Sequence, residues 1–439
     1  MTINDGTKKI TFISLVIPLL MQQIFTQLYG TANIMLLTSY SDMAVSASSI
    51  ANQVLDISVV LTTMITTGTV IITSIELGGG DRERAAKIAS NGSVLSFCAA
   101  AMLAIINLIA APKLMSLMKL QGETLELACQ YYRTRALFLP ATALMGFFNQ
   151  LLICNGYSRY TLAVGIISNL MNLLLSYAGL YAGLEFATPI IRVALAAGIA
   201  QTAAIFIALF FFKKKGCPYK FDFRPISLIK ILRLGIPGAM VSLMFRIAQT
   251  ITTSFVTGMG NDVINTKVYI GNIVAYIPLL CYSIGQANSV FMGRLKGAGQ
   301  IEKQKILHRQ DVTLAFGCNF ILSALVFIFH RPLMSMFTSN MEIINASTVI
   351  FALDMLVQLP RAINNVSENS LSSNGDVKTP FITSTLSCWL GSVALAYILC
   401  VLCGMGLVGL WIAFATDETI KSIIYIFRWR SGKWQNIEV

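Results

Sequence analysis

The two halves of this 439-residue chain carry the same landmarks at one fixed separation of roughly 219 residues, the self-similarity of a fold assembled from internal repeats. Ile17-Pro18 answers Ile236-Pro237, and Asn155-Gly156 answers Asn374-Gly375. Pro112-Lys113-Leu114-Met115-Ser116 answers Arg331-Pro332-Leu333-Met334-Ser335, with Leu, Met and Ser in register, and Glu83 answers Glu302. A spacing kept over that distance requires helices and loops of nearly equal length in both halves, which marks a duplication.

The repeated unit is apolar. The chain is 55% hydrophobic and only 12% charged, with mean hydropathy +0.70, whereas soluble domains carry about 25% charged residues. Stretches of the roughly 20 apolar residues needed to cross a bilayer recur throughout. They fall near 10–37, 46–75, 90–111, 124–153, 161–183 and 190–212, and again near 234–257, 264–292, 310–330, 343–372, 379–403 and 407–427. The expectation is an all-α membrane protein with twelve transmembrane helices in two six-helix repeats. An even number of spans per half makes the repeats parallel, related by an axis along the membrane normal.

Basic residues set the orientation. With the amino terminus inside, about 23 of the 32 Lys and Arg lie in cytoplasmic segments, the positive-inside pattern, so both termini are expected in the cytoplasm of a multi-pass cell-membrane protein. The domain expectation is an amino-terminal lobe over 1–212, a basic cytoplasmic linker over 213–233 containing Pro218 and Pro225, and a carboxy-terminal lobe over 234–439. The net charge of +12 sits beside membrane spans and needs no nucleic-acid partner. Met1–Lys9 lacks a cleavage site, so the first apolar segment reads as a retained helix.

The nine cysteines are scattered, and the CxxC of Cys400 and Cys403 has no partner motif. His308 and His330 fall at opposite membrane faces on this topology. No phosphate-binding loop or metal-ligand cluster appears, which argues against an enzyme and against a cofactor.

Ionisable residues at membrane depth are costly and therefore functional candidates. Asp354, Gln358, Arg361, Asn365 and Glu368 step by four and three residues and share one face of the tenth span. A buried carboxylate there calls for neutralisation by a proton, by Na⁺ or by a basic side chain. Arg361 or Arg246 is the expected partner of Asp354. Asp56 shares a face of the second span with Asn52, Thr63 and Thr67, while Asp417 and Lys421 are spaced for a local pair. Pro18, Pro237, Pro140, Pro278 and Pro360 mark bends or hinges. The 19 Met and 25 Phe supply soft, bulky surfaces suited to varied ligands.

Five stretches resemble the multidrug and toxin extrusion (MATE) transporters of the MOP flippase superfamily. They are IPLLMQQIFTQLYGTANIML from Ile17, ICNGYSRYTLAVGIISNLMNLLLSY from Ile153, GIPGAMVSLMFRIAQTITTSFVTGMG from Gly235, IGQANSVFMGRLKGAGQIEKQK from Ile284 and SSNGDVKTPFITSTLSCW from Ser372. The resemblance implies two six-helix lobes in a V around a central cavity. It further implies a monomeric antiporter that exports organic cations, drugs or amphiphilic metabolites in exchange for Na⁺ or H⁺. Its partners would be the lipid bilayer and a small-molecule substrate, amphiphilic or cationic.

The departures bear on mechanism. Asn33 stands where the family commonly has an aspartate, Asn172 is followed by Ser176 where a second acid is expected, and a span 7 glutamate would fall near Phe245. Amides and hydroxyls ligate cations but take up no proton near neutral pH. Asn33, Asn169, Asn172 and Ser176 are then a neutral polar site in the amino-terminal lobe. The coupling or cavity candidates become Asp354, Glu368, Arg361, Gln358, Asn365, Arg246 and Asp56. The competing classes are a flippase for a lipid-linked saccharide, served by Arg133, Arg135, Arg246 and Arg361, and a transport-deficient membrane sensor.

Overall fold

The computed structural model describes residues 2–4, 9–118, 120–181, 187–220, 228–257, 259 and 261–437. Met1, residues 5–8 and residues 221–227, Pro225 among them, lie outside the described residues. Two compact units divide the chain, Asn4–Ala239 and Met240–Val439, the second also taking in Thr2 and Ile3. After short strands at Thr2–Asn4 and Lys9–Thr11, the amino-terminal unit consists of helices. They are α1 (Phe12–Thr38), α2 (Asp42–Gly79), α3 (Arg82–Leu117), α4 (Gly122–Leu137), α5 (Leu139–Cys154), α6 (Ser158–Tyr181) and α7 (Pro189–Lys214).

Helix α8 (Leu228–Thr257) begins in the amino-terminal unit and ends in the carboxy-terminal one. There follow α9 (Asn261–Val274), α10 (Leu279–Gly297), α11 (Ile301–Ile328), the short α12 (His330–Ser335) and α13 (Met341–Ser373). Helix α14 (Lys378–Ser387) runs on through π-helical turns at Cys388–Ala394 and Tyr397–Leu402, and α15 (Gly406–Arg430) closes the unit.

Among the described residues, nine helical segments are long and apolar enough to cross a membrane, and the bent pairs α4–α5 and α9–α10 raise the number to eleven. Helix α15 is the twelfth by length, since its 25 residues extend about 37 Å at a rise of about 1.5 Å each. Asp417, Glu418 and Lys421 deprive it of an uninterrupted apolar stretch.

The duplication is visible in the turns. Gly80 and Gly299, at equivalent places in the repeats, have φ of +85° and +68°, and Gly156 and Gly375 have +78° and +84°. Each ends a helix in the left-handed region, where a side chain is disfavoured. The proline bends are not duplicated. The sequence reads 124–153 as one span, yet the structure breaks it by 50° at Phe138, because Pro140 supplies no N–H to the preceding turn and crowds its carbonyl. Pro278 stands at the 49° break between α9 and α10. Pro360, by contrast, lies inside α13, which continues unbroken over 33 residues.

Small residues let helices of the amino-terminal unit pack closely. Ala47, Ala51, Ala128, Ala136 and Ala194 are wholly buried in one cluster with Tyr132. The start of α8 also meets α2 through glycines: a Cβ on Gly235 would fall 1.7 Å from the Met64 carbonyl oxygen, and one on Gly68 2.0 Å from that of Ile231. In the carboxy-terminal unit, Phe351 and Val357 of α13 pack with Trp411 of α15. Large apolar side chains such as Ile109, Phe206 and Phe427 are exposed, as suits a surface solvated by lipid tails.

Candidate functional site

In the carboxy-terminal unit, the polar face of α13 meets the charged turns of α15. Trp411 Nε1 donates to Asp354 Oδ1 at 3.1 Å, and Gln358 Nε2 donates to Asp354 Oδ2 at 3.1 Å. Two turns along α13, Arg361 Nε donates to Glu418 Oε1 at 2.9 Å, while Asn364 Nδ2 donates to Glu418 Oε2 at 2.8 Å. Lys421 Nζ reaches Asp417 Oδ2 at 2.8 Å, and Ser387 Oγ, just ahead of the first π-helical turn, donates to Asp417 Oδ1 at 2.6 Å. The fit is close, since a Cβ on Gly391 would stand 3.2 Å from the Asp417 Cα. π-Helical turns of this kind recur at functional sites.

The charges do not balance. Asp354, Glu368, Asp417 and Glu418 face only Arg361 and Lys421, and those two cations are taken by Glu418 and Asp417. Asp354 is left with neutral donors, and Glu368 makes no hydrogen bond or ion pair among the described residues. Buried acceptors are also left over: Gln358 Oε1, Asn364 Oδ1, Asn365 Oδ1 and Asn319 Oδ1 have no partner. Oxygen-rich surroundings with surplus negative charge favour a proton or a hard cation. No group of three or more His, Cys, Asp and Glu able to hold a metal occurs among the described residues.

The amino-terminal unit has a smaller polar group. Ser176 Oγ donates to Asn172 Oδ1 at 3.1 Å, and Asn172 Nδ2 donates to the Tyr29 hydroxyl. Asn33 and Asn169 are half-buried and form no hydrogen bond with Asn172 or Ser176. In the same unit, Asn52 and the Tyr131 hydroxyl exchange hydrogen bonds, and Arg135 Nη1 donates to Gln201 Oε1 at 3.2 Å.

The family profile of MatE matches residues 18–178 and 237–398, two segments that begin at the duplicated prolines Pro18 and Pro237. The chain belongs to the MatE family. It is similar to the transporter YisQ of Bacillus subtilis, 29% identical over 98% of this chain and 96% of the relative. It is also similar to NorM of Thermotoga maritima, 24% identical over 96% of this chain and 92% of the relative. Among solved structures, a MOP superfamily transporter from Pyrococcus furiosus superposes with TM-score 0.88 at 19% identity, covering 97% of this chain and 96% of that one. The fold is the two-lobe helical architecture of MATE transporters, and the protein is a multi-pass membrane protein.

Within this MATE chain, one sequence expectation is corrected. Arg361 makes no ion pair with Asp354: the two stand seven residues apart on one helix, about 10.5 Å along its axis, so Arg361 acts on Asp354 only through space and turns its guanidinium to Glu418 on α15. Arg246, exposed on α8, and Asp56, half-buried on α2, are not partners in the bonds described above. The i,i+4 pair of Asp417 and Lys421 is present as its spacing foretells.

Glu418 is an ionisable residue at membrane depth like Asp417, but its pairing with Arg361, and the presence of Asn364 and Trp411, are unannounced, because contacts between two helices leave no trace in the spacing along either one. Asp311 was also missed, since it falls at the edge of the ninth span. It is buried on α11 and accepts from Asn288 Nδ2 at 2.8 Å. The two histidines have structural surroundings. His308 stacks on Trp429 at 4.1 Å between ring centroids, and His330 Nε2 lies 2.9 Å from Thr348 Oγ1.

Proposed function

We propose that this MATE transporter exports amphiphilic small molecules, including drugs, in antiport with a cation, Na⁺ or H⁺, that the α13–α15 cluster binds and releases. Both termini would lie in the cytoplasm, as the distribution of Lys and Arg favours. The observation that carries the coupling role is the pair of carboxylates without a cationic partner, Asp354 and Glu368, among buried amide oxygens that lack donors. An ion entering there cancels charge and supplies those oxygens with a partner, so its binding free energy is available to bias the packing of α13 against α15. The multidrug resistance names carried by NorM of Thermotoga maritima and YoeA of Bacillus subtilis support drug-like cargo.

The test is dye movement in proteoliposomes under separately imposed Na⁺ and proton gradients. One gradient should drive transport in the parent, and Asp354→Asn or Glu368→Gln should remove that dependence. Gradient-driven transport that is unaltered in both variants refutes the assignment of the coupling site.

A further inference from the structure

Arg135, half-buried in the amino-terminal unit, lacks a counter-charge. Arg135 lies in the last turn of α4, three residues before the break at Phe138. Its Nη1 donates to Gln201 Oε1 at 3.2 Å, an oxygen that already accepts from Thr142 Oγ1 at 2.5 Å. Its Nε is buried without any hydrogen-bond partner, and among the described residues no carboxylate lies within ion-pair distance of it. A guanidinium carries five N–H donors, so most of its capacity is unused.

Its electrostatic neighbour Tyr29 has a hydroxyl oxygen that accepts from Asn172, which leaves the O–H proton free to donate. Tyr131 belongs to the same group. The set offers donors and aromatic faces but no acid, for Asn33 and Ser176 occupy the places where the MATE resemblance leads one to expect carboxylates.

An N–H held away from water without an acceptor is costly. If Arg135 only fastened helices together, an acid or a saturated set of carbonyls would face it. Here its one acceptor is a shared amide oxygen. An organic cation brought to this group would meet a like charge, whereas a planar or tetrahedral oxyanion would satisfy the fork of the guanidinium.

We propose that Arg135, assisted by the hydroxyl of Tyr29, binds the acidic head of the exported amphiphile, a carboxylate or a phosphate. This rests on the exporter reading above and narrows its cargo to anionic or zwitterionic amphiphiles.

The test compares decanoate, decyl phosphate and decyltrimethylammonium, equal in tail and different in head, as ligands of the full-length protein in phosphatidylcholine nanodiscs. Binding is followed by ligand-dependent thermal stabilisation. The anions should bind more tightly than the cation. Arg135→Gln should weaken the anions at least tenfold without weakening decyltrimethylammonium, with Arg135→Lys, which keeps the charge, falling between.

Tighter binding of the cation by the parent, or anion affinity within twofold of the parent in Arg135→Gln, overturns the proposal. A second arm adds phosphatidylglycerol to the nanodiscs. If that lipid competes with decyl phosphate in the parent but not in Arg135→Gln, the occupant is a lipid headgroup and the cargo assignment falls. No ion gradient is involved, so failure here is separable from failure of the coupling role of Asp354 and Glu368.

Discussion

Replacing Glu418 by Gln removes one charge from a buried pair while keeping the shape of the side chain. Arg361 Nε then faces a neutral oxygen in place of the carboxylate now 2.9 Å away, while Asn364 keeps its 2.7 Å bond to the Glu418 carbonyl. The side chains are 20% and 9% exposed, so little water is at hand to solvate the stranded guanidinium. Breaking a buried pair in this way costs about 3–5 kcal/mol. For a unit of about 200 residues, each kcal/mol lowers the unfolding midpoint by about 2–4 °C, which gives a drop of at least about 6 °C.

A thiol-reactive dye provides the assay, because Cys281, Cys388 and Cys400 are buried thiols outside any disulfide and become reactive as the helices separate. The double replacement Arg361→Met with Glu418→Leu should recover most of the loss, since neither charge is then left alone. Glu302→Gln, which breaks the exposed pair with Lys305, should cost no more than about 1 kcal/mol. A midpoint within about 2 °C of the parent for Glu418→Gln, or a double variant as unstable as the sum of its parts, would refute the reasoning.

Two further outcomes are expected. In a variant whose only tryptophan is Trp411, emission should change on addition of the coupling ion, because its indole N–H bonds Asp354 Oδ1; an equal response in Asp354→Asn would detach the ion from this cluster. Gly235→Ala, whose Cβ would fall 1.7 Å from a backbone oxygen, should cost about 1–3 kcal/mol through overpacking. Gly146→Ala, with open space around it, should leave the midpoint unchanged or raise it, and equal midpoints for the two variants would show that α2 and α8 do not touch through these glycines.

The parts of the fold written along the chain were legible in it. Apolar stretches gave the spans, and the fixed repeat gave the matching glycine turns at Gly156 and Gly375. The polar face of α13 followed from steps of three and four residues, as did the pair of Asp417 and Lys421. Partners across helices were not legible. Arg361 has two carboxylates within reach of a plausible guess, and only packing selects Glu418 over Asp354. Proline was ambiguous for a related reason: Pro140 breaks its span while Pro360 does not, and the difference lies in what surrounds each helix.

The charged turns of α15 also bear on how the protein is made. Each Asp or Lys at the centre of a helix costs about 2.5–3.5 kcal/mol on membrane insertion, so the last helix cannot readily leave the translocon for lipid alone. Its natural acceptor is α13, and 57 residues separate Arg361 from Glu418. At about 5–20 residues per second, Arg361 waits about 3–11 s for its counter-ion to be synthesised. The carboxy-terminal bundle is therefore completed by its final segment, and a nascent chain stopped before α15 leaves a guanidinium stranded in the membrane.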